Sequence, residues 1–482
     1  MSAMLKRRSG WLWTAYGLLI FSSFKNISNP DLFWHLSAGE RILTDWRLPD
    51  ADWLSFTRAG APWVDFEWLS QVLFTLLYRA VGWWGLIALK IALLVGAARI
   101  IEGALAKRGL GVLERACAVA VLTAVWSISN DLRLDCLSVL LLCAQLSALE
   151  RLRAGAKIDL WKAALAAAAV GALWANCHAG FVVGLAVAGA YAFLCPVSTR
   201  KAALAVLVGG FLGTLITPFG PRLYSVVFAH LRLMSPLARY IVEWHWSAPG
   251  KTLTWPAWAL FAGCLLSAWI APPKRRELAP WAVLAGLAVM ALRHQRHIAY
   301  FAAAGVLLPP LLLEERGGFK LHRLCAPLAV LLAAVFLLLT PQDLSRSGLR
   351  VRGLPVGAAE FLASRPDVAQ RRLYNPWGWG GYLGWRLKKP YRVFYDGRYI
   401  FHDLLAPSME ARKDPKEWNL YLDEQKLDGA VLDRQEQDLR VTWLDEAGVK
   451  RERVVPYFIV FMPRERWKLV YLDETAVIYI RR

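Results

Sequence analysis

The sequence predicts a polytopic α-helical membrane bundle, with about eleven transmembrane helices, followed by a C-terminal extracytoplasmic α/β domain. Three observations carry this. The 482 residues are 57% hydrophobic and only 20% charged, with mean hydropathy +0.36, more apolar and less charged than a soluble domain. Apolar windows at 160–194 and 324–340 are long enough to cross a bilayer core of about 30 Å. From residue 341 charged residues become frequent and turn signals appear. The domains are therefore 1–340, helical, and 341–482, a unit of ordinary domain size.

The helices follow from where charge interrupts the apolar sequence. Lys6, Arg7 and Arg8 precede the first, at 10–27, an uncleaved span that leaves the N-terminus in the cytoplasm. An outer acidic loop, 28–68, carries Asp31, Glu40, Asp45, Asp50, Asp52, Asp65 and Glu67 against Arg41, Arg47 and Arg58. Residues 69–82 read as an amphipathic helix lying on the membrane. Helices at 83–104 and 112–130 bracket Lys107, Arg108 and Arg115. Four more reach, in turn, Arg151/Arg153, Asn176-Cys177-His178, Arg200/Lys201 and an outer loop at 218–253. The eighth returns to Lys274-Arg275-Arg276, the ninth exits at Arg293–His297, the tenth returns to Glu314-Glu315-Arg316, and the eleventh, 324–340, exits. In the last domain, 372–374, 391–395, 430–432, 468–472 and 476–480 read as strands, the final two as a hairpin. Residues 355–364 and 415–426 read as helices.

The net charge of +20 resides in short loops, as the positive-inside rule requires, and implies no nucleic-acid partner. Many of the 24 tryptophans lie near predicted helix ends, among them Trp11, Trp83, Trp84, Trp255, Trp258 and Trp281, where indole favours the interface. The seven cysteines show neither CxxC spacing nor a disulfide framework. No Walker-type loop or GxSxG elbow is present.

The topology gathers polar groups on the outer face. Asp31, after Pro30, has two roles open to it: N-cap of the helix 32–44, or general base toward a substrate at the bilayer edge. Arg133, Arg293 and Arg296, with His178 and His297, suit a phosphate or diphosphate, because guanidinium offers forked donors. Lipid headgroups, or for His178 an interhelical hydrogen bond, would use the same chemistry. Asp31, His35, Asp65 and Glu67 could ligate a divalent metal, although no spacing is diagnostic. Glu243 joins this outer set. The glycine-rich segment 375–383 and Asp396-Gly397-Arg398 read either as turns or as an aromatic surface for sugar rings, rimmed by Asp396 and Arg398.

Asn29-Pro-Asp-Leu-Phe-Trp-His35, Pro62-Trp-Val-Asp-Phe-Glu-Trp-Leu69, Trp174-Ala-Asn-Cys-His-Ala-Gly-Phe181 and Thr217-Pro-Phe-Gly-Pro-Arg-Leu223 follow one another through the chain. With Glu243-Trp244, Arg293-His-Gln-Arg296, Asn375–Tyr382 and Asp396-Gly-Arg398, this order resembles bacterial multi-pass proteins related to the GT-C glycosyltransferases. The resemblance implies a GT-C-like bundle in the inner membrane and a sugar donor linked to polyprenyl phosphate. Transfer would go to an acceptor glycan, lipid or protein outside the cytoplasm, with inversion, among membrane lipids. It assigns Asp31 as base or acceptor-positioning group. The chain lacks the adjacent pair of acids found in better-studied members, and Asp65 or Glu67 fills the second acidic role. Arg133-Leu134 stands where an Arg-Pro pair is expected. Substrate contacts fall to His35, Arg133, His178, Glu243, Arg293, Arg296, His297, Asp396 and Arg398. A lipid or glycan transporter, an envelope-assembly protein and an O-antigen ligase or polymerase are the alternatives.

Overall fold

The computed structural model describes residues 2–128, 131–245, 254–317, 325–339, 348–436, 438–444 and 449–482, with the side chains of 2–8, 233–235 and 242 left aside. They form two compact units. One comprises Met1–Ile27, Phe66–Ala229 and Ile241–Leu349; the other comprises Ser28–Asp65, His230–Tyr240 and Arg350–Arg482. Residues 28–65 of the acidic loop fall in the second unit, and 66–68, with Glu67, fall in the first.

In the first unit a helix stands at each of the eleven predicted positions, from Ser2–Ser23 to Cys325–Leu339. Among the described residues, Trp83–Lys107, Leu160–Cys177 and Gln295–Glu314 are long and apolar enough to cross a membrane, and Phe181–Leu194, Trp255–Ile270 and Cys325–Leu339 are shorter apolar helices. Trp68–Val81 forms a helix of its own. Two boundaries differ from expectation. The segment 218–253, read as a loop, contains the helix Arg222–Leu237, because Leu223, Val226 and Val227 share one buried face. Arg200 and Lys201 lie inside the helix Val197–Thr214 rather than in a connecting loop. Arg200 Nη2 reaches back to the Cys195 carbonyl at 3.4 Å and so serves the end of the preceding helix.

Close backbone approach holds one helix pair together. A Cβ on Gly209 would overlap the Ala164 carbonyl oxygen, one on Gly213 that of Ala168, and one on Gly171 that of Gly210. The Gly209-x-x-x-Gly213 spacing puts both glycines on one face of Val197–Thr214, against Leu160–Cys177. Several buried charges in this unit are paired internally. Arg153, with 4% side-chain exposure, binds Glu150 at 2.7 Å and Glu315 at 2.7 Å. Arg108 also binds Glu315, at 2.8 Å, and the Tyr191 hydroxyl donates to Glu150 at 2.5 Å. Lys90, fully buried, donates to the Lys25 carbonyl at 3.0 Å, and Lys25 donates to the Ser127 carbonyl at 3.3 Å. Each ammonium thereby meets carbonyls beyond a helix C-terminus, where positive charge is favoured.

The second unit holds a four-stranded sheet. β1 (Leu373–Tyr374) pairs parallel with β2 (Gly429–Asp433), which pairs antiparallel with β6 (Ala476–Arg481), itself antiparallel to β5 (Trp467–Leu472). β3 (Leu439–Leu444) and β4 (Lys450–Val455) form a separate hairpin. Helices Val356–Ser364 and Pro415–Glu424 match expectation. Residues 391–395 do not form the predicted strand; they make one bridge, Val393 to Ser55. Side chains satisfy the backbone instead. Asn375 Oδ1 accepts from the Phe394 N–H at 2.8 Å, Asn375 Nδ2 donates to the Tyr395 carbonyl at 3.0 Å, and the Thr57 hydroxyl donates to the Phe394 carbonyl. The segment read as a glycine turn is the helix Trp377–Leu387. Its glycines admit neighbours: a Cβ on Gly380 would overlap the Tyr395 carbonyl oxygen, one on Gly381 would lie 3.0 Å from the Pro30 carbonyl oxygen, and one on Gly384 would lie 2.9 Å from Leu54.

Gly213→Ala is expected to destabilise the purified chain by about 1–3 kcal/mol, the usual range for overpacking. Gly189→Ala, whose Cβ position is open and which lies inside the helix Phe181–Leu194, is expected to raise the melting temperature slightly, since alanine favours a helix over glycine. Tryptophan fluorescence against temperature checks both.

Candidate active site

Within the second unit, Asn29-Pro30 turns the chain into the helix Leu32–Asp45. Asp31 stands at the N-cap position, but its side chain makes no capping bond. Its Oδ1 instead accepts from the Trp34 indole N–H at 3.3 Å, while its own N–H donates to Asn29 Oδ1 at 3.1 Å. The same Oδ1 lies against Gly397: a Cβ there would overlap it, and would come within 3.2 Å of Trp34 Nε1. The acidic loop and the Asp396-Gly397-Arg398 motif therefore build one place. His35 is buried, with its ring centroid 3.6 Å from that of Trp34. Asp65 is also buried, and the adjoining Val64 N–H donates to the Tyr399 hydroxyl at 2.9 Å.

Asp396 and Arg398 do not rim an exposed surface; they are 0% and 2% exposed. Arg398 Nε and Nη2 bind Asp396 at 2.9 and 2.8 Å, and Nη2 also binds Asp52 Oδ1 at 2.7 Å. Asp52 in turn accepts from the backbone of Leu54 and Ser55, each at 3.2 Å, and from the Ser55 hydroxyl at 2.5 Å. The guanidinium carbon lies 5.0 Å from the Trp63 ring centroid, 5.2 Å from Phe401 and 5.8 Å from Trp53. Burial alone would lower the Arg398 pKa; Asp396 and Asp52 more than offset it and hold the group charged. Sequence reading missed Asp52 as a partner. The Asp52-x-x-Ser55 spacing, typical of a side chain bonding the backbone ahead of it, was the available signal.

Within the first unit, Arg133 makes a two-pronged ion pair with Glu243. The loop carrying Glu243 is tied to the following arginine-rich turn: His294 Nδ1 bonds the Trp244 carbonyl at 2.8 Å and the Gln295 N–H donates to the His245 carbonyl at 3.2 Å. Arg296 lies within electrostatic reach of Glu243 and Asp135. Arg293 is exposed. No ion pair to either is present among the described residues. Arg133 is thus engaged by a carboxylate, and Arg293 and Arg296 are the cations left to meet an anion. Glu67 sits at the N-cap position of Trp68–Val81, without a side-chain cap.

His178 Nδ1 accepts from the Gly180 N–H at 3.0 Å and lies 2.8 Å from Ser138 Oγ, which accepts the Trp174 indole N–H at 2.7 Å. In a neutral ring the proton then resides on Nε2. This places His178 in an interhelical hydrogen-bond cluster. His297 Nδ1 is buried with no hydrogen-bond partner among the described residues, and its ring stacks on Tyr300 with centroids 6.1 Å apart. Asn176 is engaged: it accepts from the Trp68 indole at 2.7 Å and donates to the Ile216 carbonyl at 2.9 Å. Among the described residues no three His, Cys, Asp or Glu side chains converge as a metal site would require.

No family model and no curated protein sequence matches the chain. Its fold is similar to that in the crystal structure of ArnT from Cupriavidus metallidurans bound to undecaprenyl phosphate, with a TM-score of 0.50 and 13% identity, covering 97% of each chain. The likeness is one of fold.

The Arg133–Glu243 pair has a readable pH dependence. Burial acts to raise the Glu243 carboxyl, and Arg133 more than offsets it, so the pKa falls below the ordinary 4.5. A depressed acid contributes stability above its unfolded pKa and loses it as pH falls through the folded value. Glu243 is 36% exposed, so screening keeps the pair to about 1 kcal/mol at most. Glu243→Gln is expected to lower the melting temperature by about 1 °C at pH 7. Below pH 4.5 the difference from wild type is expected to close, as thermal scans over pH 3–7 would show.

Proposed function

We propose that the chain is a membrane glycosyltransferase that moves a sugar from a polyprenyl-phosphate donor to an acceptor hydroxyl at the outer face of the cytoplasmic membrane. The observation that carries this is the whole-chain likeness in fold to a protein solved with undecaprenyl phosphate. The motif order of the sequence supports it, and so does a carboxylate, Asp31, set by its neighbours without serving as a helix cap.

Asp31 accepts the proton of the acceptor hydroxyl as that oxygen attacks the anomeric carbon. The bond from the anomeric carbon to the phosphate oxygen breaks in the same displacement. Its electron pair stays with the lipid phosphate, and the configuration inverts. The leaving phosphate gathers negative charge, which preorganised cations stabilise; Arg293 and Arg296 have this role because Arg133 is engaged with Glu243. His297 joins them at the turn. Glu243 acts through Arg133, fixing the turn that carries the free arginines. Asp65 or Glu67 is the second carboxylate, and His35 is a substrate contact. His178 supports the helix ends near Ser138. Asp396 and Arg398, being buried, act on Asp31 from beneath and make no direct substrate contact.

The test is consumption of donor. Wild type and Asp31→Asn are purified and incubated with undecaprenyl-phosphate glucose, galactose, mannose and arabinose, together with membrane extract as acceptor. Mass spectrometry follows the lipid-linked sugar. Wild type is expected to consume one donor, and Asp31→Asn to do so about 10²–10⁴-fold more slowly, the range for loss of a general base. Equal consumption by both would remove Asp31 from the mechanism. Arg296→Ala is expected to lower kcat about 10²-fold, the order seen when one transition-state donor is lost.

A further inference from the structure

Asp31 owes its place to a residue that has no side chain. Gly397 lies directly under the carboxylate, so any Cβ there would overlap Asp31 Oδ1 and crowd Trp34 Nε1. Gly397 is itself held on both sides. Asp396 and Arg398 flank it in sequence, are bonded to each other, and are anchored through Arg398 to Asp52. Asp52 belongs to the acidic loop, and its backbone fixes that loop by accepting from the Gly60 N–H and donating to the Ala61 carbonyl, both at 2.9 Å. A further bond links the Trp63 N–H to the Asp50 carbonyl, also at 2.9 Å. Trp63 completes the path: its ring faces Arg398 at 5.0 Å and meets the Trp34 ring edge-on at 6.2 Å. Trp34 is the indole that donates to Asp31. The contacts close a ring, from Asp31 through Trp34, Trp63, Arg398 and Gly397 back to Asp31.

We propose that the buried Asp52–Arg398–Asp396 triad is a positioning device for the base, setting the Asp31 carboxylate through Gly397 and the Trp63–Trp34 pair. The inference rests on Asp31 being the base and adds how its position is fixed. None of the triad touches substrate. The three act on Asp31 as neighbours of neighbours, in the way supporting residues hold a reacting group to a fraction of an ångström.

Neighbouring glycines make the idea separable from plain folding. A methyl at Gly380 would strike backbone, the Tyr395 carbonyl, and would have to distort the fold. A methyl at Gly378 would meet nothing within 4 Å. A methyl at Gly397 would strike the far end of one side chain, which can swing away. Gly397→Ala is therefore expected to keep the fold and displace the base. Arg398→Ala would strand two buried carboxylates and fail to fold, so it cannot serve alone.

The experiment uses the full-length protein in detergent, in two arms. In the first, wild type, Gly378→Ala, Gly397→Ala, Asp31→Asn and the double variant Asp31→Asn/Gly397→Ala are assayed with the undecaprenyl-phosphate sugar that wild type consumes. Gly397→Ala is expected to lose about 10²-fold in kcat, the scale set by misplacing a reacting group by about 1 Å, with donor KM within about threefold and Gly378→Ala unaffected. The double variant is expected to be no slower than Asp31→Asn, because both changes remove one function. If Asp31→Asn is inactive but Gly397→Ala is fully active, or the two losses multiply, the positioning role is wrong and the base assignment stands. If Asp31→Asn is fully active, the base assignment fails and takes this inference with it. The second arm needs no donor. The melting-temperature loss from Gly397→Ala is measured in wild-type and Asp31→Ala backgrounds. A loss at least halved by Asp31→Ala supports direct contact between methyl and carboxylate, whereas equal losses overturn it, whether or not a donor has been found.

Discussion

A guanidinium with 2% exposure is among the costlier groups a fold can enclose, because desolvation opposes the charge and its fixed fork needs partners in a plane. Arg398 is tolerable only since Asp52 and Asp396 supply carboxylates from two directions and Trp53, Trp63 and Phe401 surround its carbon. Much of the second unit follows from meeting that demand. The acidic loop has to reach the Asp396 segment, and the helix Leu32–Asp45 is drawn in with it. The helix Trp377–Leu387 then needs glycines at Gly380, Gly381 and Gly384 to lie close enough to both. The extended stretch 391–395 gives up a second strand partner and takes its bonds from Asn375 and Thr57.

The first unit answers the same constraint with pairs of its own. Buried charged groups have to be satisfied within the protein. Glu150, Arg153, Glu315 and Arg108 do this as a four-membered network, and Lys90 and Lys25 do it against carbonyls beyond helix ends. Against that background Arg293 and Arg296 stand out. They lie on a turn fixed by His294 and Gln295, beside an arginine that does have its carboxylate. Neither Arg293 nor Arg296 makes an ion pair among the described residues, which is why the proposed reading gives them the lipid phosphate.

What could be seen in the sequence was what depends on neighbours along the chain. Apolar windows marked the helices, basic clusters marked their ends, and the Asp473-Glu474-Thr475 turn marked the hairpin of β5 and β6. What could not be seen depended on distance or on context. Glu243 finds Arg133 across 110 residues, and Asp52 finds Arg398 from the far end of the chain. Arg222–Leu237 was hidden because Pro218, Pro221 and Pro236 gave its segment the look of a loop. Trp377–Leu387 was hidden because four of its eleven residues are glycine, each costing a helix about 1 kcal/mol relative to alanine. Local propensity argues for a turn there; packing against Tyr395, Pro30 and Leu54 overrides it. At Asp31 the acid and the preceding proline were legible, but whether its side chain caps the helix was not, because that turns on where Oδ1 points.

The triad bears on that choice through its poor value as a stabiliser. Buried ion pairs can often be replaced by apolar groups of similar volume at no loss, or with a gain of about 1–4 kcal/mol. Stability alone therefore gives little reason to enclose three charges where Trp53, Trp63 and Phe401 already supply an apolar wall. An apolar plug would leave the 396–398 turn free to slide, since dispersion contacts have no direction. Two carboxylates gripping one planar fork fix both the place and the angle of the turn, and with it the bare backbone of Gly397 on which the Asp31 carboxylate rests. Directional bonding is what the charges add, and under the proposed reading a carboxylate that has to meet a hydroxyl at hydrogen-bond distance is the group in this unit that most needs it.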